Sequence, residues 1–115
     1  MQKRGLTLFL VLLCANAVCA QHKITAEDAR DHVGEKVVVC GKVASEHFAA
    51  TTKGQPTFIN LDQPYPHQIF TIVIWGSDRP AFSEIPSKLC VTGTISLYKG
   101  VPEIIARSPS QIARN

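Results

Sequence analysis

The chain has 115 residues, of which 45% are hydrophobic, and this size is typical of one folded domain rather than several. Its formal net charge is +3, from 12 Lys and Arg against 9 Asp and Glu. Two of the basic residues, Lys3 and Arg4, stand at the extreme N-terminus, and without them the balance is ten against nine. A nearly neutral domain gives little support for a ligand held by a strongly basic surface.

The first twenty residues have the three parts of an export signal. Lys3 and Arg4 form a basic start, residues 6–13 form an apolar run, and small residues lead to a cleavage point near Ala20. The apolar run is far shorter than the ~20 residues that cross a bilayer, so we expect no stable membrane anchor. The sequence therefore predicts a signal peptide at 1–20 and a periplasmic or secreted protein.

Loss of the signal leaves one mature domain at 21–115 with two cysteines, Cys40 and Cys90. In an oxidising compartment such a pair is expected to form a disulfide, because a zinc site usually needs four ligands at short paired spacings. The four histidines show no short metal-binding spacing. We therefore predict no metal site and no cofactor.

The first element of the mature chain is predicted to be a short helix over Ile24–Gly34. Thr25 is suited to the N-cap, and Asp28 three residues later resembles a capping box. Gly34 is suited to the position after the last turn. A helix of about nine residues is marginal alone in water, so it is expected to dock on the rest of the domain.

From Lys36 onward the pattern changes to strands rich in branched residues, separated by Pro, Gly, Asp and Ser. One connection, at 76–86, is long enough for a helical turn. This order predicts an all-β domain with short helices, namely a five-stranded OB-fold Greek-key barrel preceded by a short N-terminal helix. The five strands are expected at Lys36–Val43, Thr57–Leu61, Ile69–Trp75, Lys88–Leu97 and Pro102–Ala106.

Alternation along these strands separates an inner face from an outer one. The inner face is expected to hold Val37, Val39, Val43, Ile59, Leu61, Phe70, Ile72, Ile74, Leu89, Val91, Ile95 and Leu97. Cys40 and Cys90 then share the outer face of the first and fourth strands. Because these strands are antiparallel neighbours in an OB barrel, the two cysteines are compatible with a cross-strand disulfide.

Five segments of the mature chain carry a resemblance to a known family. They are Ala29-x-x-His32-Val-Gly34, Val39-Cys-Gly-Lys-Val43, Phe58-Ile-Asn-Leu61, Phe70-Thr-Ile-Val-Ile74 and Lys99-Gly-Val-Pro-Glu-Ile104. With them the chain resembles bacterial exported single-domain OB-fold proteins of the nucleic-acid-binding, tRNA-anticodon-binding-domain-like type. In those relatives an outward aromatic of the second strand stacks on a base, which implies that role for Phe58. Asn60 stands where the relatives have an acidic residue.

The ligand-binding groove of an OB barrel crosses its second and third strands and is flanked by two loops. The candidate ligand-binding residues are therefore Phe58, Asn60, Thr71 and Trp75 on the strands, with Lys53, Tyr98 and Lys99 at the flanking turns. Exposed aromatics beside lysines suit the stacking of bases and the tracking of phosphates. Alternatively, Phe58 and Trp75 cap the barrel or pack under the insert at 76–86.

No catalytic motif is present in the sequence, so we expect a binding module and not an enzyme. The first expected ligand is single-stranded DNA or RNA, bound without sequence preference. The alternative is an accessory module of the envelope that binds a protein or a glycan and has no role with nucleic acid. The sequence does not indicate an oligomeric state.

Overall fold

The computed structural model describes residues 22–115, so the signal peptide predicted at 1–20 lies outside the described residues. This part of the chain is built almost entirely of β-strands, with three short 3₁₀ helices at Glu27–Asp31, Arg79–Ala81 and Pro109–Gln111. The strands are β1 Lys23–Thr25, β2 Lys36–Phe48, β3 Thr57–Leu61, β4 Thr71–Ile74, β5 Lys88–Thr94, β6 Ser96–Tyr98, β7 Val101–Ile105 and β8 Ile112–Arg114.

The helix predicted over Ile24–Gly34 is wrong, because this segment forms β1 and then a single 3₁₀ helix. β1 pairs in parallel with residues 38–40 of β2, and this pairing replaces a helix too short to be stable alone. The N-cap of the 3₁₀ helix is Ala26 and not the predicted Thr25. The hydroxyl of Thr25 nevertheless accepts a hydrogen bond from the Asp28 amide at 3.2 Å. Between residues 22 and 115 no helix has the length and apolarity needed to cross a membrane.

All eight strands belong to one sheet, in the order β6-β7-β4-β3-β2-β5-β8, with β1 beside β2. The expectation of five strands is corrected to eight. The five longest strands, β2, β3, β4, β5 and β7, correspond to the five predicted ones, and β1, β6 and β8 are short additions at the edges.

The strand predicted over Lys88–Leu97 is interrupted at Ile95, which separates β5 from β6. The cause is local. The amide of Ile95 donates to the carbonyl of Glu35 at 3.1 Å, and its carbonyl accepts from the amide of Gly34 at 2.8 Å. The N-terminal segment therefore takes the backbone groups of Ile95, and the ladder breaks there. After the break the chain forms β6, which pairs with β7.

The sheet coils into an OB-type barrel because β2 is bent. Its first part, Lys36–Lys42, pairs with β5, and its second part pairs with β3 after a register shift between Val43 and Ser45. At the far side of the coil β5 approaches β7 closely. A Cβ added at Gly93 would lie 2.6 Å from Cγ2 of Ile104.

The barrel interior contains nearly all of the side chains that alternation predicts to face inward. Phe70, Ile59, Leu61, Ile72, Ile74, Leu89, Ile95, Val37, Val39 and Val91 are fully buried, and Val43 packs against them while partly exposed. Leu97 is the exception, since it is 54% exposed on β6. This prediction is corrected: β6 is the edge strand of the sheet and pairs only with β7 among the described strands, so Leu97 has a neighbouring strand on one side alone.

Cys40 and Cys90 form the predicted disulfide. The two residues lie directly opposite one another in the β2–β5 ladder, with Cα atoms 4.0 Å apart and an S–S distance of 2.03 Å. Each cysteine alternates with core valines, Val39 and Val91, so the bridge lies on the outer side of the sheet. It therefore links two strands that are already paired.

Candidate functional site

The candidate site is the outward face of β2, β3, β4 and β7, called here the outer wall. Pairing in these strands aligns its side chains in two rows. The apolar row contains His47, Phe58, Val73 and Ile105, and the polar row contains Ser45, Asn60, Thr71 and Glu103. Phe58, Asn60 and Thr71 therefore share one face, as the sequence predicts.

The apolar row offers a partly exposed platform. His47 is exposed, Phe58 and Ile105 are half-buried, and Val73 between them is buried. Phe58 pairs with Val73 on β4 and with His47 on β2, so it occupies a central position in this row. The Phe58 side chain is thus partly accessible to solvent.

Three of the four residues in the polar row, Ser45, Asn60 and Thr71, are joined by hydrogen bonds. The hydroxyl of Thr71 donates to Oδ1 of Asn60 at 2.7 Å, and Nδ2 of Asn60 donates to the hydroxyl of Ser45 at 3.0 Å. The amide of Tyr65 also donates to Ser45, at 3.1 Å, which brings the loop after β3 over this row. The network joins three neighbouring strands to that loop.

The expected exposure of Asn60 and Thr71 is therefore corrected. Although both point outward, they are only 3% and 7% exposed. Their polar groups are already paired with each other and with Ser45, and such buried groups have little to gain from a ligand. Direct contact with a ligand is not proposed for these two residues.

Glu103 continues the polar row on β7, beside Thr71. Its side chain is half-buried, and burial raises the pKa of its carboxyl above the usual 4.5, because removal from water disfavours the charged form. This carboxyl lies in the middle of the outer wall, between the two ends that carry lysines.

One end of the outer wall carries Trp75 and Lys53. Trp75 is 37% exposed, and its ring lies against Gly54, where an added Cβ would be 2.9 Å from Cε3. The amide of Gly76 donates to the carbonyl of Gly54 at 2.9 Å and fixes this contact. The ring therefore rests on the turn that contains the exposed Lys53, whereas the insert at 76–86 contributes Phe82 to the core.

The opposite end carries Tyr98 and Lys99 at the β6–β7 turn. Tyr98 is 58% exposed and pairs with Val101, and the Lys99 ammonium lies 5.4 Å from the centre of the tyrosine ring. This is the distance range of a cation–π contact. β4 and β7 are parallel, so positions along the two strands can be compared directly. Trp75 lies six residues past the position that is level with Val101. The two ends of the outer wall are therefore about 20 Å apart along the strands.

Two further exposed aromatics, Phe48 and Tyr65, were not predicted as part of the site. Phe48 ends β2, which continues five residues past the predicted end at Val43. Phe48 pairs with Thr57, which has the same strand parity as the inward-facing Ile59, so its side chain points to the side opposite the outer wall. Tyr65 lies in the loop between β3 and β4, where no periodic pattern indicates the direction of a side chain.

No family model and no curated protein sequence matches the chain. Among solved structures, the chain is similar to a protein described as a putative aspartyl-tRNA synthetase from Leishmania major Friedlin. The TM-score is 0.52 at 11% sequence identity, and the match covers 78% of this chain. It covers 20% of that protein, so the chain spans about a fifth of its length. At this identity the similarity shows the fold, which is OB-like.

Proposed function

We propose that this protein is an exported OB-fold module that binds single-stranded nucleic acid without sequence preference along the outer wall. The observation that carries the proposal is an exposed aromatic beside a lysine at each end of one wall, Trp75 with Lys53 and Tyr98 with Lys99. Aromatic rings stack on any base, and lysines follow the phosphates, which is how sequence-tolerant single-strand binding works.

The dimensions of the outer wall fit this ligand. Its two aromatic ends are about 20 Å apart along the strands, and single-strand sites on OB folds extend from about four nucleotides upward. Phe58 lies between the ends and offers a further stacking surface. The proposal therefore places bases on Trp75, Phe58 and Tyr98, with phosphates near the two lysines.

The structural neighbour supports the proposal through its fold. That protein is described as a tRNA synthetase, and its matched part shares the OB-like fold of this chain. A nucleic-acid ligand is therefore a natural first choice for the outer wall. In this proposal the wall has a binding role and no catalytic one.

The proposal includes a periplasmic or extracellular location. A cross-strand disulfide between Cys40 and Cys90 is typical of proteins in oxidising compartments. The sequence pattern of residues 1–20, with its basic start and short apolar run, favours the same location.

The test is binding of fluorescent oligo(dT) and oligo(U), followed by anisotropy from about 20 to 200 mM salt. Contacts from Lys53 and Lys99 predict a slope of log K against log salt near −1.4, since each phosphate neutralised on a single strand contributes about −0.7. Absence of binding at the lowest salt rejects the proposal. A slope near zero also rejects it and favours a protein or glycan ligand.

Variants of the aromatic residues locate the site. Tyr98→Ala removes a ring that is mostly exposed, and each lost stacking contact is expected to weaken binding by about 1–3 kcal/mol. Phe58→Ala is expected to act in the same way. Lys53→Ala is compared with Lys88→Ala, an exposed lysine at the start of β5 that lies outside the outer wall. Equal effects of the two lysine variants would contradict the proposed site.

A further inference from the structure

A second outward surface lies on the disulfide-bearing half of the sheet, over β1, the first part of β2 and β5. The disulfide lies on the outer side, so alternate positions along these paired strands share its face. The members of this surface, called here the lysine face, are Lys23, Thr25, Lys36, Val38, Cys40, Lys42, Lys88, Cys90, Thr92 and Thr94.

The lysine face carries four positive charges and no carboxylate of its own. All four of its lysines are exposed. Two acids lie close by: Asp28 lines a shallow depression with Lys23, and Oδ1 of Asp62 accepts a hydrogen bond from the backbone amide of Lys42 at 2.9 Å. Between residues 22 and 115, however, no lysine forms an ion pair with a carboxylate. The nearly neutral total charge of the chain therefore conceals one face with an excess of positive charge.

Two of these lysines face one another directly. Lys42 on β2 and Lys88 on β5 are cross-strand partners, and the Cβ atoms of such a pair are about 5 Å apart. Like charges in this position destabilise a sheet. An anion placed over both ammonium groups would remove the repulsion. This pair therefore costs stability in the free protein and favours a negatively charged ligand.

The four charges are spread over two dimensions. Lys36 is six residues from Lys42 along β2, which is about 20 Å. Lys23 and Lys88 are on the strands at either side of β2, so they are about 10 Å apart across the sheet. A small anion would reach one end of this area only, whereas a bilayer presents phosphates at every point of a plane. A single strand of nucleic acid is held by stacking on aromatic rings, and the lysine face has none.

We propose that the lysine face binds the surface of a bilayer that contains anionic phospholipids. None of the exposed large apolar side chains of residues 22–115 belongs to this face, so the contact is with headgroup phosphates and not with the hydrocarbon. Each lysine near such a surface strengthens binding by about fivefold, and four lysines by on the order of 500-fold. The proposal does not depend on the nucleic-acid function of the outer wall.

The test is sedimentation of the protein with two kinds of vesicle, one of phosphatidylcholine alone and one of phosphatidylglycerol and phosphatidylcholine in equal amounts. At about 20 mM salt we expect binding to the anionic vesicles that is at least about 100-fold tighter than to the neutral ones. At about 200 mM salt the preference is expected to shrink, because salt screens exposed charges. Equal binding to the two kinds of vesicle, or no binding to either at low salt, overturns the proposal.

Lysine variants locate the contact. Lys88→Ala and Lys36→Ala, at the two ends of the lysine face, are each expected to weaken binding to the anionic vesicles by about fivefold. The melting temperature of Lys88→Ala is expected to be unchanged or higher, because this variant relieves the repulsion with Lys42. Lys53→Ala, an exposed lysine of the outer wall, is the matched control and leaves vesicle binding unchanged. A lower melting temperature for Lys88→Ala, or an equal effect of Lys53→Ala on vesicle binding, overturns the proposal.

The two lysine variants also separate this proposal from the nucleic-acid one. Lys88→Ala is expected to weaken binding to vesicles and to leave oligo(dT) binding unchanged, and Lys53→Ala is expected to do the reverse. Double-stranded DNA is the rival ligand of the lysine face. Binding of a short DNA duplex that Lys88→Ala weakens, without binding to the anionic vesicles, overturns the membrane proposal. Failure of oligo(dT) to bind leaves the vesicle result unaffected.

Discussion

Glu103 places a carboxyl in the polar row at the middle of the outer wall, where the proposed ligand, a single-stranded nucleic acid, is also negatively charged. Burial raises its pKa, which means that the folded protein holds the proton more tightly than the unfolded chain does. Stability from this group is therefore complete below pH 4.5, the unfolded value, and is lost as the pH rises through the raised folded value.

Replacement of Glu103 with Gln is expected to raise the melting temperature at pH 7, because the variant removes a charge that burial disfavours. At about pH 4, where Glu103 itself is protonated in the fold, the difference should disappear. Thermal unfolding at both pH values measures the effect. Glu84→Gln, at an exposed position, serves as the control. A gain that is equal at both pH values would show that the pKa of Glu103 is not the cause.

The direction of side chains on the outer wall could be predicted from sequence, but their accessibility could not. Alternation placed Phe58 and Asn60 on the face opposite Ile59 and Leu61, and the structure agrees. Alternation says nothing of the loop after β3, whose Tyr65 amide reaches Ser45 beside Asn60. Coverage by a loop depends on contacts between distant parts of the chain, and a single strand pattern does not contain them.

Closure of the barrel depends on a glycine where β5 meets β7. Gly93→Ala would place a Cβ 2.6 Å from Cγ2 of the buried Ile104, and overpacking of this kind costs about 1–3 kcal/mol. Urea denaturation is expected to show a lower midpoint with an unchanged slope. Thr94→Ala, at the exposed neighbouring position, is the control. An unchanged midpoint for Gly93→Ala would mean that β5 and β7 can move apart without loss of stability.

Elements with a long sequence pattern could be predicted. Elements that form only through pairing with another strand could not. β3 has the predicted bounds, Thr57–Leu61, and the insert at 76–86 contains the expected helical turn at Arg79–Ala81. The helix predicted over Ile24–Gly34 failed because β1 found a partner strand in β2. β8, a three-residue strand that exists through its pairing with β5, carries no pattern of its own.

At the scale of the molecule, the disulfide acts on the unfolded chain. Cys40 and Cys90 are 50 residues apart, and in the chain-entropy model a closed loop of this length stabilises the fold by about 4 kcal/mol. The double variant Cys40→Ala with Cys90→Ala is expected to lose about 2–5 kcal/mol in denaturant unfolding. Wild-type protein in reducing agent is the matched comparison. A loss well below this range would show that the unfolded chain is already compact without the bridge.

β2 belongs to both halves of the sheet, and this determines how the protein unfolds. One stretch of it is bonded to the disulfide-bearing half of the sheet, and the next is bonded to the half that forms the outer wall. Without this shared strand, neither half has a complete set of inward-facing side chains. Unfolding of either half alone would therefore expose the interior of both. The domain is therefore a single cooperative unit, and deuterium exchange should find the most protected amides on both sides of the bend in β2.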